Sequence, residues 1–239
     1  MPLELPSMLL PSAGEVHVYR VSLDREVSLL ELLSEGERER AGRFHFERDA
    51  RRWIAGRTLL RRMLERYLDT APKQLQIETN FWGKPGLPGC PLRFNVTHSG
   101  DTALLAFAWR QEIGIDIERS RCDFDPLALA AQICSTQEHA ALRILPPEQQ
   151  HSMFLTLWTG KEAYVKARGE GLSFPLTELT LTPLTGTDRF HVRDLDQSST
   201  QLEMSVCRLN LGELYFGALA LEGRLTQVHS FDHSHAPTN

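Results

Sequence analysis

Residues 112–120, EIGIDIERS, place an aspartate and a glutamate two positions apart inside an apolar run that reads as a strand. Alternate side chains of a strand point to the same face, so Asp116 and Glu118 are expected to lie side by side. Two carboxylates this close repel each other unless a proton, a cation or paired bases intervene, and oxygen ligands of this kind suit Mg²⁺. A solvent-facing strand edge, with Arg119 or Arg121 neutralising the acids, explains the same spacing. The spacing alone leaves both interpretations open.

The same stretch divides the chain into two halves with the same order of elements. Each half is predicted to contain a strand, a long helix (47–68 or 147–168) and further strands. The sequence therefore predicts an α+β fold, a pseudo-dimer of two similar halves (1–111 and 112–239) with a cleft between them. Each half is expected to be a small antiparallel sheet packed with a long helix, and Gly114 leaves room there for a ligand or for backbone.

The remaining elements are predicted from local patterns. Ser34 with Glu37, and Ser135 with Glu138, have the spacing of helix capping boxes, and Gly169 is a plausible C-cap. Short helices are expected at 126–133 and 135–144. The strand-like segments are EVHVYRVS (15–22), LQIET (75–79), LRFNVTH (92–98), TALLAFAW (102–109), ELTLT (178–182), RFHVR (189–193), LEMSVCRL (202–209) and LYFGALAL (214–221).

Composition excludes some classes of function. The 239 residues are 41% hydrophobic and 24% charged, with a formal net charge of −5, which argues against a protein that binds nucleic acid with its whole surface. No window approaches the roughly 18 consecutive apolar residues of a membrane span, and the N-terminus lacks the pattern of a signal peptide. A cytoplasmic location without membrane contact is therefore expected. The four cysteines show no CxxC pair and favour reduced thiols, and the histidine-containing tail (His229, His233, His235) is predicted to be a frayed polar terminus.

A second segment, FLTLWTGKEAYVKARGEGL (154–172), adds to the candidate chemistry. On a helix, Trp158, Glu162 and Lys166 share one face. An exposed Glu–Lys pair at this spacing usually contributes only about 0.2–0.5 kcal/mol to a surface helix. Because the same face carries Trp158, a second interpretation fits equally well. In it, Glu162 completes a metal site and Lys166, one turn later, binds phosphate.

A third group of residues could bind phosphate. Lys84 lies in the turn WGKPGLPG (82–89), and His98 and Ser99 lie at the end of a predicted strand, although an ordinary structural hydrogen bond also explains such a histidine. The segment 38–66 contains ten arginines, a few of which could form a phosphate patch because guanidinium matches phosphate oxygens. The chain has no Walker A, GxGxxG, HExxH or GxSxG motif.

Taken together, these segments resemble the 4′-phosphopantetheinyl transferase family, Sfp (surfactin-synthetase-activating) type, over about residues 15–222. The family pattern is (V/I)-G-(I/V)-D, about forty residues, and (F/W)-(S/C/T)-x-K-E-(A/S)-x-x-K. This chain has IGID at 113–116 and WTGKEAYVK at 158–166, with forty-one residues (117–157) between them. RFHFERDARR, GRTLLRR, GKP (83–85) and FNVTHSG (94–100) match as well. Glu37 departs from the pattern, because a basic residue is expected there beside the nucleotide 3′-phosphate.

The resemblance implies a reaction. The family moves the phosphopantetheine arm of coenzyme A to a serine of an apo acyl or peptidyl carrier protein and releases adenosine 3′,5′-bisphosphate. Mg²⁺ would be held by Asp116, Glu118 and Glu162, and Glu162, directly or through a metal-bound water, would be the base for the serine. Lys166, and with it Lys161, would stabilise the leaving diphosphate oxygen. The residues that would bind coenzyme A are Arg40, Arg52, Arg57, Lys84, Pro85, His98, Ser99, Lys161 and Lys166.

The resemblance also implies the partners. The carrier protein would dock after Lys166, with Leu172 and Phe174 as apolar contacts, and the protein would be a monomer that binds neither nucleic acid nor membrane. Two other classes explain part of the sequence. A different Mg²⁺-dependent phosphoryl or nucleotidyl transferase accounts for the acids and bases but not for the WTGKEAYVK spacing. A non-enzymatic protein that senses coenzyme A or binds nucleic acid through its arginine-rich helix predicts binding that survives loss of the acids.

Overall fold

The computed structural model describes residues 9–121, 123–195 and 203–234, with the side chain of Leu172 outside the description. The first sheet has four strands in the order β11 (Gln227–Asp232), β1 (Glu15–Ser22), β5 (Thr102–Trp109) and β4 (Leu92–Ser99). A separate two-stranded hairpin, β2–β3, follows the long helix. The elements of the first half are β1 (Glu15–Ser22), α1 (Glu35–Gly42), α2 (Glu47–Leu68), β2 (Glu78–Thr79), β3 (Pro85–Gly86), β4 (Leu92–Ser99) and β5 (Thr102–Trp109).

The second half contains a five-stranded sheet with the order β6 (Ile113–Arg119), β10 (Tyr215–Glu222), β9 (Met204–Arg208), β8 (Arg189–Asp194) and β7 (Leu179–Pro183). Its paired strands are all antiparallel. The long helix α5 lies across this sheet, and its buried residues join one core with α3 and α4. The elements are β6 (Ile113–Arg119), α3 (Pro126–Ile133), α4 (Thr136–Arg143), α5 (Pro147–Arg168), β7 (Leu179–Pro183), β8 (Arg189–Asp194), β9 (Met204–Arg208), β10 (Tyr215–Glu222) and β11 (Gln227–Asp232).

The predicted α+β architecture is confirmed: each sheet packs with a helix of 22 residues, α2 or α5. Both capping boxes are present, since Ser34 and Ser135 each accept a hydrogen bond from the backbone of the glutamate three residues on. Gly169 ends α5 in the left-handed conformation with φ 72°, which a glycine adopts without steric cost.

The two sheets share a hydrophobic core. Ile113, Ile115 and Ile117 of β6 pack with Val16 and Val18 of β1 and with apolar residues of β5, β9 and β10. Every one of these five side chains is almost completely buried. The two halves therefore meet through a continuous apolar layer beneath the edges formed by β4 and β6.

Two local predictions were wrong. LQIET forms a strand only at Glu78–Thr79, where it pairs with Pro85–Gly86. The tail is an ordered strand as far as Asp232: β11 pairs in parallel with β1 and completes the first sheet, with His229 opposite His17. His235 lies outside the described residues. Among the described helices, none combines the length and the apolar composition that crossing a bilayer requires.

Candidate active site

Gly114 brings the strand and the helix of the site into contact. A Cβ atom at this position would lie 2.0 Å from the carbonyl oxygen of Ala163 and 2.3 Å from the backbone nitrogen of Ala167. The close approach that the sequence allowed for is therefore made by the backbone of α5. Because the helix lies directly on β6, Lys166 contacts Asp116, and Glu162 lies near enough for its charge to interact with that of Asp116.

The three predicted carboxylates lie on these two elements. Asp116 is 4% exposed, and its Oδ1 is 2.5 Å from the Lys166 Nζ. Neither the Oδ2 of Asp116 nor the Oε1 of Glu162 accepts a hydrogen bond from any described residue, although both atoms are buried. Burying a carboxylate oxygen without a partner is costly, so these atoms are the ones that a bound cation would satisfy.

The pKa values at the site reflect the same charge imbalance. Burial raises the pKa of Asp116, opposed by the neighbouring Lys166 ammonium and reinforced by the charge of Glu118. Burial also raises the pKa of Glu162, and the charges of Asp116 and Glu118 raise it further while Lys166 lowers it. One lysine thus faces three acids, and the hard oxygen donors fit a divalent cation such as Mg²⁺.

As they stand, the described side chains include no group of three or more His, Cys, Asp and Glu residues arranged to hold a metal ion. The Lys166 ammonium occupies one oxygen of Asp116. A metal bound by Asp116, Glu118 and Glu162 stays a prediction, supported by the two unpartnered oxygens and by the raised pKa values.

Four of the predicted phosphate-binding residues line one cavity of about 260 Å³: Arg40, Arg52, Arg57 and His98. The guanidinium groups of Arg40 and Arg57 lie 5.6 and 5.5 Å from the centre of the Trp53 ring. Trp53 lines the cavity too and was not singled out from the sequence. The sequence feature that could have indicated Trp53 is its position one residue after Arg52 in the arginine-rich helix.

Two of these arginines are already paired with acids. Arg52 forms two hydrogen bonds to Asp24, at 2.8 and 2.6 Å. Arg57 lies 3.3 Å from Glu37, and its buried Nη1 has no hydrogen-bond partner among the described residues. Glu37 is thus a partner of cationic side chains, since it also binds the buried Arg61 at 2.8 Å.

A second cavity of about 260 Å³ is lined by Glu162, Lys166 and Trp82. It shares Gly83, Pro85 and Val96 with the arginine-lined cavity, so the two are neighbours along one cleft. One end of this cleft carries guanidinium groups, and the other carries a carboxylate and an ammonium group. The predicted Pro85 lies between them.

Three residues assigned from the resemblance are engaged in other contacts. The side chain of Lys161 is completely buried, where its ammonium group pairs with Glu138 at 2.7 Å and bonds the carbonyl oxygens of Leu176 and Leu179. It cannot meet a diphosphate in the cleft. Lys84 lines the second cavity, but its Nζ bonds Glu112 at 2.8 Å and the carbonyl oxygen of Ala167 at 2.9 Å, which fastens the β2–β3 turn to α5.

The third is Phe174, which was expected to contact a carrier protein. It is 4% exposed and belongs to the core beneath α5, so it offers no surface for docking. Leu172, named with it, has its side chain outside the described residues. Exposed aromatic surface lies instead at Trp82, which lines the second cavity and is 48% exposed, and at the neighbouring Phe81, which is 89% exposed.

Family models and known relatives match most of the chain. Residues 22–110 match the family model described as 4'-phosphopantetheinyl transferase, N-terminal, and residues 112–214 match that of the 4'-phosphopantetheinyl transferase superfamily. The 4'-phosphopantetheinyl transferase HetI of a Nostoc species is 39% identical over 187 residues, which cover 74% of this chain and 79% of that protein. The 4'-phosphopantetheinyl transferase Sfp of Bacillus subtilis is 32% identical over 173 residues, covering 69% and 75%.

Solved structures resemble the chain over a shorter span. The holo-[acyl-carrier-protein] synthase of Thermotoga maritima superposes with a TM-score of 0.40 at 18% identity, covering 47% of this chain and 63% of that one.

Proposed function

The chain belongs to the 4′-phosphopantetheinyl transferase family, and we propose that it transfers the phosphopantetheine arm of coenzyme A to a serine of an apo acyl or peptidyl carrier protein, with Mg²⁺. The other product is adenosine 3′,5′-bisphosphate. The observation that supports this most directly is the pair of neighbouring cavities along one cleft. Arginines at one end suit the nucleotide phosphates, and Glu162 and Lys166 at the other suit the reacting diphosphate with its metal ion.

At the nucleotide end, Arg40, Arg52, Arg57 and His98 are proposed to bind the phosphates of coenzyme A. Asp24 and Glu37 already hold Arg52 and Arg57 in place, which reduces the side-chain entropy lost on binding. In the described part of the chain Arg40 has no carboxylate partner, so its charge is available to a phosphate. Pro85 contributes apolar wall where the two cavities meet.

At the reacting end, Asp116, Glu118 and Glu162 would hold the Mg²⁺, which supplies positive charge beside the diphosphate as its phosphorus–oxygen bond breaks. Glu162 takes the proton of the incoming serine. Lys166 donates a hydrogen bond to the leaving oxygen, and Asp116 orients that ammonium group at 2.5 Å.

The test is the mass of the carrier. The full chain is incubated with coenzyme A, Mg²⁺ and several apo acyl and peptidyl carriers, with EDTA in a parallel reaction. We expect a gain equal to one phosphopantetheine group, lost in EDTA and restored by Mg²⁺. Glu162→Gln and Asp116→Asn should each abolish the gain, whereas Glu148→Gln, at an exposed site on the same helix, should retain it.

Three results would contradict the proposal. No mass gain on any carrier would exclude the transfer, and an added nucleotide or phosphate would indicate the alternative phosphoryl or nucleotidyl transferase. Wild-type transfer by both acid variants would exclude the assigned site. That the chain acts as a monomer in the cytoplasm stays a prediction, as does carrier docking in the segment after Lys166.

A further inference from the structure

Strands β4 and β6 lie at the facing edges of the two sheets and are joined by side chains. Neither strand is the other's neighbour in a backbone ladder of the described residues. Instead, the Oδ1 of Asn95 in β4 accepts a hydrogen bond from the backbone nitrogen of Ile115 in β6, at 2.9 Å. Because alternate residues of a strand share a face, Thr97 and Ser99 point toward β6 on the same side as Asn95.

Thr97 carries the first of two hydroxyl groups that bind the acids. Its Oγ1 donates to Oδ1 of Asp116 at 3.1 Å and accepts from the Nζ of Lys166 at 3.3 Å. An ammonium group can only donate, so the single proton of the hydroxyl is left for Asp116. The threonine therefore orients one carboxylate oxygen and leaves Oδ2, which has no hydrogen bond, on the opposite side of the group.

Ser99, two residues further along β4, has the same arrangement of hydrogen bonds. Its Oγ accepts from the backbone nitrogen of Arg119 at 3.0 Å and donates to Oε2 of Glu118 at 3.1 Å. The backbone N–H can only donate, so the hydroxyl proton is again committed to the carboxylate. A hydroxyl held in this way cannot donate to a nucleotide phosphate at the same time, which argues against the phosphate contact expected for Ser99.

We propose that Thr97 and Ser99 are positioning residues of the metal site, whose hydroxyl groups orient Asp116 and Glu118 from the opposite half of the molecule. The inference rests on the proposed function, because it takes these carboxylates as the metal ligands. Groups that hydrogen-bond a ligating carboxylate fix its direction and reduce the entropy lost on metal binding. The first half thus contributes to the metal site without supplying a ligand.

The experiment measures Mn²⁺ binding to the full chain without coenzyme A or carrier, by the electron paramagnetic resonance signal of free Mn²⁺. We expect Ser99→Ala and Thr97→Val each to raise the Kd by about tenfold or more. Ser99→Thr and Thr97→Ser, which keep a hydroxyl, should bind within about threefold of wild type on the same scale. Glu118→Gln serves as the loss-of-ligand reference.

The matched control is Thr102→Val. Thr102 is a buried threonine opposite Ser99 in β5, and its hydroxyl also joins the two halves by donating to the Tyr215 hydroxyl at 2.9 Å. This variant loses a hydrogen bond of the same kind without touching a carboxylate. Its thermal midpoint should fall as much as those of Ser99→Ala and Thr97→Val, while its Kd for Mn²⁺ stays at the wild-type value.

Each outcome has a definite meaning. The inference is overturned when Ser99→Ala and Thr97→Val bind Mn²⁺ as wild type does, when Thr102→Val weakens binding equally, or when wild type binds no Mn²⁺. Carrier modification is measured separately. Mn²⁺ binding that depends on Ser99 in a protein that modifies no carrier would contradict only the proposed function, whereas normal transfer with hydroxyl-independent binding would contradict only this inference.

Discussion

Replacing Gly114 by alanine tests the contact that brings the candidate site together. The added Cβ would lie 2.0 Å from the carbonyl oxygen of Ala163, 2.3 Å from the backbone nitrogen of Ala167 and 2.9 Å from the carbonyl carbon of Lys166. All three atoms belong to the helix backbone, so no side chain can rotate away. Ordinary contact begins at 3.4 Å, and relief of the closest clash therefore requires α5 to move away from β6 by about 1.4 Å.

The loss of stability that this movement of α5 causes can be bounded. Overpacking a well-packed core destabilises a protein by about 1–3 kcal/mol, and more where backbone must shift. In a chain of this size each kcal/mol lowers the thermal midpoint by roughly 2–4 °C. The same shift moves Glu162 and Lys166 away from Asp116, and a displacement of about 1 Å at a reacting centre can reduce the rate about a hundredfold.

Gly114→Ala is measured by urea unfolding followed by circular dichroism, and by the carrier mass assay at saturating coenzyme A. Gly42→Ala is the control, because a Cβ at Gly42 would meet no atom within 4 Å. We expect the control to turn over as wild type does and to be no less stable, because alanine favours a helix more than glycine does. A Gly114→Ala variant that unfolds within about 0.5 kcal/mol of wild type, the usual range of harmless surface substitutions, would refute the packing argument.

Three further predictions concern groups outside the cleft. Lys161→Met should destabilise the chain by about 3–5 kcal/mol, because it leaves the buried Glu138 charge without its partner; adding Glu138→Gln should recover part of this. Burial lowers the pKa of His17 below its ordinary value of 6.5. The unfolded chain then binds more protons, so stability should fall as the pH drops from about 7 through 6.5 toward the folded pKa, less so in His17→Asn. Burial raises the pKa of Cys134 to about 12 and of Cys207 to about 11, so neither should react with iodoacetamide at about pH 8 in the native protein.

Each of these has a result that would contradict it. Wild-type urea unfolding of Lys161→Met would show that the pair contributes nothing. Equal pH dependence in wild type and His17→Asn would assign the acid instability to other groups. Native alkylation of Cys134 at the rate of the more exposed Cys90, read by peptide mass spectrometry, would show that burial does not protect the thiol.

Local signals were enough to predict most elements. The bounds 47–68 and 147–168 match both long helices, because turn-by-turn apolar spacing and the residues at the ends act within a few positions. The pairs Ser34–Glu37 and Ser135–Glu138 close within one turn for the same reason. Strand β11 was missed because its polar sequence carries no strand signal and forms a strand only where the edge of β1 is free to pair with it.

The same distinction between local and long-range interactions applies to the residues of the site. Strand alternation correctly placed the side chains of Asp116 and Glu118 on β6, and helix spacing correctly placed Glu162 and Lys166 on one face of α5. The sequence could not show that Lys161 points away from the cleft, because its buried partner Glu138 lies in α4, 23 positions earlier in the chain.

The sequence by itself determined both long helices, most of the strands, the family, and the residue types that carry the chemistry. Only the tertiary structure decided which lysine faces the cleft, that Phe174 is core, and that Thr97 and Ser99 lie against the acids of the other half. The physical reason is the distance along the chain over which each kind of interaction acts. Propensity, capping and periodicity act over a few residues, whereas the partner of a buried charge or hydroxyl depends on how two distant sheet edges come together.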